Sequence, residues 1–430
     1  LYVANPRSGE CKLLLRDQAK YYINPDHLDA IRFYADGFTY LSEKDGYNQL
    51  YFYAPGGTLR KQLTSGEAEV QEFYGYNPEN GNFYYRSTLP GDPLRTAVYA
   101  ANLKSGKVSN LTPEPGTHRA SFSSDCSYFI DTYSALNKVP ASAICNQKGK
   151  KLSDLPSRNE ELARQAENLV GRPTCELFQF TVSDGTVLNG WLMKPADFDP
   201  SRRYPVIMFQ YSGPKTQQVA DSWQIGFSGH PLGFDGWLTT QGFLVACVDP
   251  RGTGGRGADF SGATYMRLGV LESDDQVAAA QYLGTLSYVD PGRIGIWGWS
   301  FGGTVAGMSI MHPSHVFKAA VSVAPVTDWR FYDTAYTERY MRTPEENAEG
   351  YDEASVLSRV NNLEGKYLLV HGLADDNVHY QNAAQLSEAL VQAEKQFDMQ
   401  VYTNRDHGIY GGATRAHLYR RIADFFKANL

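Results

Sequence analysis

A chain of 430 residues predicts two or three domains, with ample length to bury a large core. Its formal net charge of -7 leaves no broad basic field, which excludes nucleic acid and anionic membrane surfaces as expected partners. No run of 18 apolar residues occurs, so the sequence predicts no membrane-spanning helix.

The first third is rich in tyrosine and reads as short strands. Leu1-Tyr2-Val3 to Ser8-Gly9 repeats as Leu50-Tyr51-Phe52 to Gly57, then as Val98-Tyr99-Ala100 to Gly106, and more weakly as Ala143-Ile144-Cys145 to Gly149. Between copies lie further strand pairs, such as Phe38 to Leu41 turning through Asp45-Gly46 into Gln49 to Tyr53. A period of roughly 40 to 50 residues built from short strands predicts the blades of a β-propeller. A small β-sandwich is the alternative. Propellers typically close with about four to eight blades. Three to four copies and a start within a strand therefore predict the C-terminal part of a longer polypeptide. The N-terminus has neither the basic start nor the apolar block of a signal peptide.

Ser153 to Gly171 is polar and charged and reads as a linker or crossover helix, after which strands and helices alternate. Phe178 to Val182 and Val187 to Met193 form a hairpin through Asp184-Gly185. Later strands are predicted at Pro205 to Tyr211, Phe243 to Asp249, Arg293 to Trp297, Ala319 to Val323, Tyr367 to Val370 and Met399 to Tyr402. Helices fit Ser273 to Leu286, Gly303 to Met311, Asn382 to Ala393 and Thr414 to Lys427. The pattern predicts an α/β fold, a mostly parallel sheet covered by helices on both faces, which the serine motif at 298–303 makes an α/β-hydrolase fold. The expected organisation is propeller blades over 1–155, a linker over 156–175 and a catalytic α/β domain over 176–430.

Gly298-Trp299-Ser300-Phe301-Gly302-Gly303 follows an apolar strand and precedes an apolar helix, the setting in which G-x-S-x-G becomes a nucleophile elbow. Its glycines fit a sharp turn and a close helix crossing that leave no room for Cβ atoms. In α/β-hydrolases the acid and the base follow the serine in that order. Asp375, behind the strand Tyr367 to Val370, is the predicted acid, and Asp376 reads as a solvated-loop or helix-cap carboxylate. Of the histidines beyond Asp375, His379 opens a helix and His417 sits within one. His407 lies in a loop and is the predicted base, taking the Ser300 proton while Asp375 fixes its tautomer.

Other candidate motifs carry less. His312 and His315 lack a third metal ligand nearby and read as helix-end residues. Asp249 to Gly257 is glycine-rich without the P-loop lysine or the Rossmann spacing, and reads as a loop behind a strand. The five cysteines show no C-x-x-C pair, an odd count leaves at least one thiol free, and Cys247 reads as a small buried hydrophobe. No metal or cofactor is predicted.

The elbow, the run Ala324 to Trp329 leading to Tyr332-Asp333 and Tyr336 to Met341, the run His371 to His379, and Asp406-His407-Gly408 together resemble the prolyl oligopeptidase family of serine peptidases. The resemblance covers about residues 175–430 and, more loosely, the propeller before them. Phe301 departs from it, standing where the family usually has tyrosine. The resemblance implies that Phe301, Val326, Trp329, Tyr332, Tyr336 and Val378 line a pocket for proline at P1. It also implies an oxyanion site made by the Tyr211 hydroxyl and the Phe301 N–H, with Asn377 binding a substrate carbonyl. The implied activity is a serine exopeptidase releasing N-terminal X-Pro or X-Ala dipeptides. Alternatives are a prolyl endopeptidase, a tripeptidyl or acylaminoacyl peptidase, and an inactive binding scaffold. The glutamate pair with which dipeptidyl peptidases hold the substrate amine would come from an earlier propeller segment that this sequence lacks. A homodimer in the periplasm or outside the cell is the implied setting.

Overall fold

The computed structural model describes residues 1–155, 161, 164, 165 and 172–430, so most of the expected linker, 156–175, lies outside the described residues. Contacts group the chain into two units, one of Leu1–Gln165 with Ala220–Trp223 and Gly254–Gly262, the other of Ala166–Val219, Gln224–Thr253 and Ala263–Leu430.

In the first unit the repeated glycines each close a tight turn. Gly9, Gly57, Gly106 and Gly149 have φ of 75°, 89°, 72° and 82°. Their N–H groups donate to the carbonyls of Asn5, Ala54, Asn102 and Asn146, each at 2.9 Å. Each turn joins an antiparallel pair: Tyr2–Ala4 with Cys11–Leu13, Gln49–Tyr53 with Leu59–Gln62, Asp92–Asn102 with Val108–Asn110, and Lys138–Asn146 with Lys151–Leu155. Phe33–Tyr34, Gly37–Ser42, Gln49–Tyr53 and Leu59–Gln62 make a four-stranded meander. Two further meanders follow, from Val70–Asn77 to Val108–Asn110 and from Thr117–Phe122 to Lys151–Leu155, joined by the parallel pair Thr117 and Thr96. Successive meanders bury their faces against one another: Leu41, Leu50 and Phe52 pack with Phe73, Tyr76 and Phe83. Consecutive meanders packed face to face are propeller blades, whereas a sandwich would pair its sheets through Greek-key crossings.

The second unit is built on an eight-stranded sheet in the order Thr174–Thr181, Val187–Lys194, Leu244–Asp249, Tyr204–Phe209, Val289–Trp299, Ala319–Val323, Lys366–Gly372, Asp398–Tyr402. The two edge pairings at the start are antiparallel, and from Leu244–Asp249 onward every pairing is parallel. Central strands are buried along almost their whole length, and Cys247 is fully buried, as near-continuous Val, Ile and Ala runs require when helices cover both faces. The expected helices appear as Val270–Gly284, Phe301–Ile310, Gln381–Gln392 and Thr414–Asn429.

Two local expectations need correction and one is narrowed. The strand expected through Tyr211 ends at Phe209, because Ser212 at φ 65° turns the chain out of the sheet. Of the two readings of Asp376, the solvated-loop one fits: it is exposed, and the helix behind it begins at Gln381 without a side-chain cap. The strand expected from Arg293 starts at Val289, Pro291 and Gly292 being carried within it where the register shifts.

Candidate active site

Ser300 stands between the strand Val289–Trp299 and the helix Phe301–Ile310, with φ 60° and ψ -120°. Its N–H donates to the Val323 carbonyl at 2.8 Å, fixing the strained turn to the neighbouring strand. The flanking glycines are dictated by space. A Cβ at 298 would lie 2.5 Å from the Gly302 carbonyl, one at 302 would lie 2.4 Å from the Gln210 carbonyl, and one at 303 would lie 2.7 Å from that of Val323. Phe301 is the first helical residue, so its N–H has no intrahelical acceptor.

Asp375 is buried just beyond the strand Lys366–Gly372. Its Oδ1 accepts the N–H groups of Asn377 and Val378 at 3.0 and 2.9 Å, and its Oδ2 accepts His407 Nδ1 at 2.7 Å. Burial pushes this carboxyl upward, but hydrogen bonds from His371 and His407 and from the backbone outweigh it and hold its pKa well below the usual carboxylate range. The bond from Nδ1 leaves Nε2 of His407 free to face the cavity that Ser300 also lines. Among the described residues, no hydrogen bond joins Ser300 Oγ to that imidazole, although both line the same cavity.

The three loops are interlocked. Leu373 N–H donates to Tyr402 O at 2.9 Å and Ala374 N–H to Arg405 O at 3.0 Å. A Cβ at Gly372 would lie 2.4 Å from the Arg405 carbonyl, so the acid and base loops meet only because that residue is glycine. Trp299 Nε1 donates to the His407 carbonyl at 3.0 Å, tying the elbow to the base loop.

The residues expected to line a proline pocket do come together. Ring centroids of Phe301 and Trp329 are 5.5 Å apart, Trp329 stacks on Tyr336 at 6.0 Å, and Tyr332 meets Tyr336 edge-on at 5.4 Å. Val326 and Val378 are buried. Two short helices hold the aromatics: Trp329–Phe331, capped by Asp328, and Thr334–Met341, capped by Asp333. The Tyr332 hydroxyl donates to Asn377 Oδ1 at 2.9 Å, linking this box to the acid loop. Tyr211 stands with its ring 6.2 Å from that of Phe301 and lines the cavity with Ser300. Burial raises its phenol pKa, which keeps the hydroxyl protonated as a donor. His312 and His315 lie elsewhere, facing Asp274 and Glu364.

One residue here escaped the sequence reading. His371 is fully buried at the end of its strand, and its Nε2 donates to the Val378 carbonyl at 2.8 Å and lies 3.4 Å from Asp375 Oδ2. The signal was its place immediately before Gly372 in the strand that leads to the acid.

Comparison with known proteins places this geometry. A profile described as the prolyl oligopeptidase family matches residues 236–430, and one described as the dipeptidyl peptidase IV N-terminal region matches residues 1–140. Dipeptidyl peptidase 4 of Trichophyton equinum is 35% identical over 396 residues, 89% of this chain and 50% of the relative. The crystal structure of Porphyromonas gingivalis dipeptidyl peptidase 4 superposes with a TM-score of 0.93 at 45% identity, covering 100% of this chain and 60% of that one. That of a putative dipeptidyl aminopeptidase IV from Bacteroides ovatus gives 0.85 at 32% identity, covering 93% and 58%. The chain spans about half the length of the curated relatives it matches.

Proposed function

Since the chain belongs to the prolyl oligopeptidase family, we propose that it is the catalytic part of a serine exopeptidase that releases N-terminal X-Pro or X-Ala dipeptides. The observation that carries this reading is the 2.7 Å bond between His407 and Asp375 beside the Ser300 elbow, with an aromatic box that starts at Phe301, the residue after Ser300.

Ser300 Oγ attacks the carbonyl carbon of the P1 residue while His407 Nε2 takes its proton, and Asp375 stabilises the imidazolium. The carbonyl oxygen gains the negative charge and accepts hydrogen bonds from the Phe301 N–H and the Tyr211 hydroxyl. The C–N bond then breaks, His407 gives its proton to the leaving amine, and the dipeptide remains as an ester on Ser300. Water gives a proton to His407 and attacks the ester; the C–O bond to Ser300 breaks, His407 returns that proton to Ser300 Oγ, and the dipeptide acid leaves. A pyrrolidine ring has no polar edge to satisfy, which suits the box of Phe301, Val326, Trp329, Tyr332, Tyr336 and Val378. Asn377 carries the substrate-carbonyl role, its side chain held by Tyr332.

The test is hydrolysis of a Gly-Pro chromogenic amide beside its N-acylated counterpart by the full-length protein. Turnover of the free amine alone supports the dipeptidyl peptidase. Comparable turnover of both would replace it with an endopeptidase or acylaminoacyl peptidase on the same triad.

A further inference from the structure

A cavity of about 600 Å³ opens beside Ser300, lined by His407, Trp299, Tyr410, Arg415 and Tyr419, and by none of the aromatic box residues. In the proposed acylation His407 protonates the departing amine, so the leaving fragment lies on the imidazole's side of Ser300. The cavity occupies that side.

Among the described residues that line it, Arg415 is the one permanent cation, and it is unusually placed. The Arg415 guanidinium carbon is 3.9 Å from the ring centroid of Tyr410 and 4.5 Å from that of Trp299, with Phe227 and Tyr419 each at 5.9 Å. Rings engage the faces of a guanidinium and leave its in-plane N–H edge for acceptors. Nη1 donates to the Tyr419 hydroxyl at 2.9 Å. Nε is buried and has no hydrogen-bond partner, and among the described residues no carboxylate pairs with this guanidinium. A permanent cation lining a cavity without a paired carboxylate is the arrangement expected where the acceptor arrives with the ligand. Arg415 stacks on the residue that precedes Ser300, and an extended peptide advances about 3.3–3.6 Å per residue. A carboxylate one or two residues beyond the scissile bond is therefore the acceptor within reach.

We infer that Arg415, held against Tyr410 and Trp299, reads the C-terminal carboxylate of a short leaving fragment, so that the enzyme favours tri- and tetrapeptides with free C-termini. The inference rests on the peptidase reading above and names its preferred substrates.

The experiment compares kcat/KM for Gly-Pro-Ala and Gly-Pro-Ala amide, with a Gly-Pro chromogenic amide alongside, in the full-length protein. The acid should be preferred to the amide by about 10- to 100-fold, as a charge-assisted hydrogen bond allows. The preference should fall to near unity in Arg415→Gln and lie between the two in Arg415→Lys, which keeps the charge without the planar fork. The ratio is taken within each protein, so it is independent of how much of a variant is active. A wild-type ratio near one, or a ratio unchanged in Arg415→Gln, overturns the inference and leaves the peptidase standing. A wild type that cleaves none of the three substrates overturns the peptidase reading and the inference with it.

Discussion

His371 Nε2 lies 3.4 Å from Asp375 Oδ2 while donating a 2.8 Å bond to the Val378 carbonyl, so one buried imidazole braces both ends of the turn that carries the acid. The carbonyl only accepts, which fixes the proton on Nε2. His371→Phe would keep the ring volume and leave that carbonyl buried without a donor, at a cost of about 1–3 kcal/mol. We expect a lower melting temperature and a kcat reduced about 10-fold with KM little changed. His371→Gln, which restores an N–H, should recover part of both. Equal kcat in wild type and His371→Phe would show that Asp375 needs no second brace.

Asp375 gives a pH prediction of definite sign. Its folded pKa is depressed below the unfolded value of 3.8, so its contribution to stability is present above that pH and is lost as pH falls through the folded value. Acid melting curves of Asp375→Asn should therefore depend less on pH below about 4 than those of the wild type. The carboxylate stays ionised throughout any practical assay, so the variant should lose about 10⁴-fold in kcat at every pH from 5 to 9. A loss confined to one limb of the profile would contradict this.

Asp235 has the opposite sign. Complete burial pushes its carboxyl up to about 7, although its Oδ2 accepts the Phe227 N–H at 2.6 Å. A raised acid pKa means stability falls as pH rises from 3.8 to about 7 and is level above that. Asp235→Asn keeps an acceptor for Phe227 without the charge. Its melting temperature should gain on the wild type across that interval, by about 2–4 °C for each kcal/mol recovered. A gap that does not widen between pH 4 and 7 would mean the carboxyl titrates normally.

Ser300→Ala should reduce turnover on the order of 10⁶-fold, the loss typical of removing a triad nucleophile, with the fold intact by circular dichroism. Ser300→Gly should be equally inactive yet melt at a higher temperature than Ser300→Ala. Backbone strain at φ 60° costs about 1–3 kcal/mol, more than the roughly 0.4–1 kcal/mol that glycine forfeits through unfolded-chain entropy. The reverse order of melting would show that the elbow is unstrained.

Tyr332 is both a wall of the box and the partner of Asn377. Tyr332→Ala should cut the preference for proline over a bulky P1 residue about 10-fold. Tyr332→Phe should keep that preference and raise KM, since only the tether to Asn377 is lost. An unchanged preference in Tyr332→Ala would remove the residue from the P1 pocket.

How far the sequence could be read depended on how local each determinant is. The elbow was legible because glycines 298, 302 and 303 have no other use at that spacing, and each proves to face backbone within 2.7 Å. The blade turns were legible for the same reason, since positive φ selects glycine. Asp375 followed from strand order, whereas the aromatic box came only through resemblance. Its helix Thr334–Met341 spans only eight residues, too few turns to establish a period, and a local sign of it is the cap Asp333. His371 and Arg415 stayed hidden because their roles depend on partners brought by tertiary contact: a histidine in an apolar strand reads as core, and an arginine in the last helix reads as a solvated face.

Trp299 presents its ring face to Arg415 and its indole N–H to the His407 carbonyl. Evolution therefore cannot tune the leaving side and the base independently through this position: any replacement that reshapes one displaces the other. Diversification of preference among relatives should run instead through Tyr410, which also stacks on Arg415 but leaves the His407 carbonyl to Trp299.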